Sequence, residues 1–141
     1  MQENCSILLE KSSENEEMYL KAVWLLEEQG KTAHAADVAK MLKISLPSTV
    51  EMFRRLDKKK FVKYSGREGI TLLPKGKKSA EKIVRNLRLA ELLLRDILQV
   101  SSDTTGPCKF EHVITDEIAQ ALRRVLKNPT HCPHGKTIPK I

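Results

Sequence analysis

Pro47 constrains this chain more than any other single residue. A proline ring is tolerated in a helix only within the first turn, so the helix that contains it has to begin at Leu46 or Pro47. Upstream, Thr32 reads as the cap of a helix over residues 33–42, with Ala36, Val38, Ala39 and Leu42 as its apolar residues. Only Lys43, Ile44 and Ser45 then separate it from the Pro47 helix, which continues to about Lys60. Two short helices joined by three residues make a helix-turn-helix. On the second, Thr49, Phe53 and Leu56 fall at i, i+4 and i+7 and form the buried face. Ser48, Glu51, Met52 and Arg55 are left pointing outward.

Residues 61–64 alternate as a strand, 65–69 contain two glycines and read as a turn, and 70–73 return as a second strand. A hairpin placed after a helix-turn-helix is a wing, so the fold class is mainly α with an N-terminal winged helix-turn-helix. Charge agrees with a phosphate-facing surface. The chain carries +7 overall, yet residues 31–78 hold thirteen basic and four acidic side chains, while residues 1–30 hold two and seven. Concentrated positive charge is what double-stranded DNA attracts. Winged helices also serve as protein-interaction modules, and a solvated lysine-rich face is the plainer alternative. The expected DNA contacts are Ser45, Pro47, Ser48 and Thr49 at the start of the helix, with Arg55, Lys58, Lys63 and Arg67 on phosphates.

Before this unit, residues 1–12 have no clear period and read as an arm. Ser13 and Glu16 form a capping box for a helix that Gly30 stops, with Met18 near its start. A methionine there reads by itself as core filler. After the wing, Pro74, Lys75 and Gly76 punctuate the chain, dividing it into residues 1–74 and 75–141. A long helix is expected from about Lys77 to Leu98. Its stripe of Ala80, Ile83, Val84, Leu87, Ala90, Leu94 and Ile97 is wide enough to suggest burial in a homodimer. Glu91 lies beside that stripe, as a rim residue or a ligand.

Cys108, Glu111 and His112 stand at i, i+3 and i+4, one face of a helix that Pro107 can open. A thiolate, a carboxylate and an imidazole suit a borderline transition metal rather than Mg2+ or Ca2+. By spacing alone, a buried cysteine beside a solvated Glu-His pair is an equal alternative. Thr115 is expected to cap a further helix ending at Lys127, Asn128 and Pro129. The tail that follows reads as a loop in which His131, Cys132 and His134 would need a partner from elsewhere to bind metal. Three cysteines argue against a disulfide framework. With no apolar run of membrane length and no leader pattern, the expected location is cytoplasmic.

In order and spacing, these parts resemble the diphtheria-toxin-repressor family of metal-dependent transcriptional repressors. The matching stretches are residues 17–20, the helix-turn-helix with Ser45 and Pro47, residues 73–76, 87–91 and 108–113, and the tail from Asn128 to Pro139. The resemblance covers about residues 14–139 and lacks the SH3-like domain of longer members, as in a short two-domain form. It implies that Met18, Cys108, Glu111 and His112 hold the metal that switches DNA binding. In a second family site only the glutamate matches, as Glu91. Leu87 replaces one histidine, so that site is lost or rebuilt from other ligands. The sulfur-containing set implies Fe2+, with Co2+, Ni2+, Zn2+ or Mn2+ as substitutes. It also implies a palindromic operator read by a homodimer, with the ion tying the first helix to the second domain. The competing readings are a metal-independent winged-helix regulator with a purely structural cluster, and a small enzyme using Cys108 and His112. No substrate pocket supports the latter.

Overall fold

The computed structural model describes residues 12–100 and 106–140; the arm expected over residues 1–12 lies almost wholly outside them. The described residues form two units, 12–81 and 82–140, each with its own apolar core. No described helix is long and apolar enough to cross a membrane.

The first unit is a winged helix-turn-helix. Helix α1 (Ser12–Glu28) buries Tyr19, Leu20, Ala22, Val23 and Leu26, the i, i+3, i+4, i+7 spacing of one helical face. Helix α2 (Ala35–Leu42) starts two residues later than Thr32 capping would allow, with His34 as its N-cap. The His34 N–H donates to the Asp37 carboxylate at 3.2 Å. The cause is tertiary: Ala33 pairs with Ile70, whose N–H donates to the Ala33 carbonyl at 2.8 Å. An extended residue at 33 excludes a helix there.

Helix α3 (Leu46–Lys58) begins where Pro47 requires, and Ser45 caps it by accepting from the Ser48 N–H at 3.3 Å. Its buried face is Thr49, Met52, Phe53 and Leu56. Met52 therefore points inward, contrary to the sequence reading. It sits three residues from Thr49 and four from Leu56, so it widens the same stripe. Phe53 anchors the core, with Tyr19 edge-on at 5.6 Å between ring centroids and Tyr64 at 6.1 Å.

Strands β1 (Val62–Ser65) and β2 (Gly69–Leu72) pair antiparallel with Val62 opposite Leu72 and Ser65 opposite Gly69. Each is shifted by one residue from the sequence expectation. Gly69 has φ +98°, and a Cβ there would lie 2.6 Å from the Ala33 carbonyl oxygen, so the close approach of residue 33 requires glycine. Outside the hairpin ladder, the Tyr64 N–H donates to Asp57 Oδ2 at 2.9 Å and the Leu72 N–H to Glu27 Oε1 at 3.4 Å.

Helix α4 (Pro74–Leu92) begins three residues before Lys77, so Pro74 and Gly76 belong to its first turn rather than to a break. Pro74 fits an N-terminal position, where no amide donor is needed. A five-residue π-helical turn, Leu93–Ile97, follows it. The apolar stripe on α4 is not spare surface: Ile83, Val84, Ala90 and Leu94 are already buried within the single chain, as are Leu89, Leu92 and the polar Arg85, Asn86 and Arg88. Ile97, by contrast, is exposed, with Leu98, Val100, Phe110, Val113, Ile118 and Val125. Helix α5 (Gly106–Glu111) and helix α6 (Asp116–Val125) complete the second unit. As expected, Thr115 caps α6, accepting from the Ile118 N–H at 3.2 Å.

Candidate functional site

Helix α5 is one and a half turns long and ends at Glu111, so His112 stands in the turn that follows. That turn closes through the Val113 N–H to the Phe110 carbonyl at 3.1 Å. The Glu111 and His112 side chains are 0% and 1% exposed, with Glu111 Oε1 3.2 Å from His112 Nε2. Burial of two ionisable groups is costly unless they are paired with each other or with an ion. A hard oxygen and a borderline nitrogen side by side in the interior fit a divalent transition metal. Cys108 lies on the same helix, but its side chain falls outside the described residues. Met18 is half-buried on α1, in the first unit.

A second cluster lies entirely in the second unit. Glu91 near the end of α4, Cys132 and His134 present ligand atoms that are all within 4.8 Å of one another. Glu91 Oε2 lies 3.5 Å from His134 Nδ1. The tail folds back on itself to make this possible. The Cys132 N–H donates to the Lys136 carbonyl at 2.8 Å, and the Ile138 N–H to the Thr130 carbonyl at 2.8 Å. Arg88 ties the tail to α4 by donating to the Thr137 carbonyl at 2.5 Å. His131 is not part of the cluster; it is exposed, and its ring pairs with the Thr130 hydroxyl at 2.8 Å. A signal for this pairing was present in the sequence: a glutamate short of two partners, and a tail whose cysteine and histidine lacked a carboxylate.

On the first unit, Ser45, Pro47, Ser48, Arg55, Lys58, Lys63 and Arg67 are all exposed. Thr49 is not. It is 0% exposed and its hydroxyl donates to the Ser45 carbonyl at 2.9 Å, so it holds the start of α3 and is removed from the set of DNA contacts. Arg54, which the sequence reading passed over, is also exposed and lines an open notch with Asp57, Lys58, Tyr64 and Gly66, between α3 and the wing.

Two family models match in succession. One, described as the iron dependent repressor N-terminal DNA binding domain, covers residues 11–70. The other, the iron dependent repressor metal binding and dimerisation domain, covers residues 73–140. The chain belongs to the iron-dependent repressor family. This family member is 34% identical over 125 residues to the iron-dependent repressor IdeR of Mycobacterium leprae, covering 87% of the chain and 54% of the relative. Its identity to the diphtheria toxin repressor of Corynebacterium diphtheriae is also 34% over 125 residues, covering 87% and 55%. Among solved structures it is similar to the manganese regulator SloR, with a TM-score of 0.77 and 30% identity, covering 89% of the chain and 59% of that structure. The chain thus spans about half the length of the curated relatives it matches.

Proposed function

We propose that this chain is a metal-activated, homodimeric DNA-binding repressor that controls metal-homeostasis genes from the cytoplasm. The observation that carries this reading is the buried Glu111–His112 pair, in a chain that also bears a winged helix with exposed cations on α3 and the hairpin. Residues 1–74 would serve as the DNA-binding part and 75–141 as the dimerisation and metal-binding part. Ser45, Pro47 and Ser48 would approach base edges, while Arg55, Lys58, Lys63 and Arg67 would neutralise phosphates of a palindromic operator.

Glu111 and His112 would hold the ion with Cys108, and Met18 would complete the set, as the family resemblance implies. When bound, the ion supplies a fixed positive charge that these donors share. The two sulfur ligands favour Fe2+ over Mn2+. Glu91, Cys132 and His134 support a second centre, rebuilt from different donors than the resemblance suggested. The ring nitrogen, thiolate sulfur and carboxylate oxygen there again suit a transition metal.

The test is binding of duplexes selected from a random pool, measured anaerobically with Fe2+ and then with a chelator. Binding is expected only with the metal, and to symmetric sequences. Equal binding in chelator would instead establish a metal-independent winged-helix regulator.

A further inference from the structure

A saturated polar network lies behind the turn that carries Glu111 and His112. Asn86 on α4 is 4% exposed. Its Nδ2 donates to the Glu111 carbonyl at 3.2 Å and to the Ile114 carbonyl at 3.0 Å. Its Oδ1 accepts from Arg85 at 3.0 Å (Nε) and 2.9 Å (Nη2). Arg85, 2% exposed, also donates to Asp116 Oδ1 at 2.9 Å. Both amide protons and both acceptor positions of Asn86 are therefore used. The Arg85 guanidinium can only donate, so it fixes which end of the amide faces the turn.

The two carbonyls that Asn86 holds bracket the segment from Glu111 to Ile114. This segment is too short to carry a full helical turn of its own hydrogen bonds. Its backbone position is set by a side chain of another helix, and the direction of the Glu111 and His112 side chains follows from that backbone. We infer that Asn86 is a positioning residue for the metal centre, oriented by Arg85, and that it acts through the backbone rather than by ligation. Losing a group that orients a ligand typically costs about 10–100-fold in metal affinity. The assignment rests on the reading that Glu111 and His112 hold an ion.

The experiment uses the full chain carrying His134→Ala, so that the second cluster lacks a donor. Co2+ is the probe. Asn86→Ala removes the whole amide. Asn86→Asp keeps its shape and its pairing with Arg85, but sets a carboxylate oxygen against two carbonyls. Either change is expected to weaken Co2+ binding about 10–100-fold and to shift the visible ligand-field bands. Leu89→Ala, a cavity in the same core, is expected to lower the melting temperature of the apo-protein while leaving the bands unmoved. If Asn86→Ala does not fold, Asn86→Asp alone decides. A folded Asn86→Asp protein with parental bands and affinity would overturn the assignment, as would equal band shifts in Leu89→Ala. Failure of the parent to bind one Co2+ would instead remove the functional reading, and this inference with it.

Discussion

Replacing Gly76 by alanine inverts the usual effect of that substitution. In an unobstructed helix, alanine in place of glycine is stabilising by about 0.5–1 kcal/mol. At position 76, however, an added Cβ would lie 2.0 Å from the Phe61 carbonyl oxygen and 2.8 Å from its carbon. Ordinary contact begins near 3.4 Å, so helix and strand entry would have to part by roughly 1.4 Å. Phe61 is not free to yield: its N–H donates to the Leu56 carbonyl and its own carbonyl accepts from the Leu73 N–H, both at 3.0 Å. Overpacking costs about 1–3 kcal/mol, and loss of the Leu73 bond about 1 kcal/mol more. After the propensity gain, a net loss of about 1–3.5 kcal/mol remains, or roughly 2–14 °C in melting temperature. Thermal and urea unfolding of Gly76→Ala and Gly66→Ala measure it. Gly66 has nothing near its missing Cβ and should change by less than about 0.5 kcal/mol. If Gly76→Ala melts at or above the parent temperature, the close approach of α4 to Phe61 is wrong.

Met52→Ala should destabilise by about 2–5 kcal/mol in urea unfolding, because Met52 is 4% exposed; a change under about 0.5 kcal/mol would return it to the surface. Arg55→Ala should weaken binding to all duplexes about equally and reduce the salt slope by about one, read from fluorescence anisotropy at several salt concentrations. Cys132→Ser should lower metal content from two ions per chain to one by elemental analysis, while the Glu111 centre stays loaded. The Arg85 hydrogen bond, then that from Lys82, holds the Asp116 carboxyl below its ordinary value. A lowered folded value means its stabilisation is present above the unfolded carboxyl range and lost as pH falls through the folded value. Asp116→Asn should therefore lower the urea midpoint at neutral pH and converge on the parent in acid.

The winged helix was legible because its signals are local. Pro47 and Ser45 fix the start of α3 through backbone sterics and one cap, and the alternating strands on either side of a short glycine-containing stretch mark the hairpin. Errors arose where distant residues decide. Thr32 is a reasonable cap until Ile70 takes the Ala33 carbonyl, and Gly76 reads as punctuation until Phe61 is known to lie against it. Periodicity on α4 reports burial without saying by what: Ile83, Val84, Ala90 and Leu94 are covered within the chain, while Ile97 is exposed. Of the candidate site, the i, i+3, i+4 spacing places Glu111 and His112 on one helical face, whereas His112 stands in the turn after α5, beside the buried Glu111. The grouping of Glu91 with Cys132 and His134 required the tail to fold back more than forty positions along the chain, which no spacing rule anticipates.

The hairpin has a consequence for how this protein can meet others. At the rungs beyond its internal ladder, the amides of Ile70, Leu72 and Tyr64 are occupied by the Ala33 carbonyl, Glu27 and Asp57. A free strand edge invites pairing with any extended chain, whether a peptide, a second copy or an aggregate. Those three amides are closed to such recruitment. What the wing leaves exposed is instead side chains such as Lys63 and Arg67, the cations proposed to meet phosphates. With those rungs occupied, another chain cannot add to the hairpin through these three amides, and any partner of the wing has to be held by side chains there.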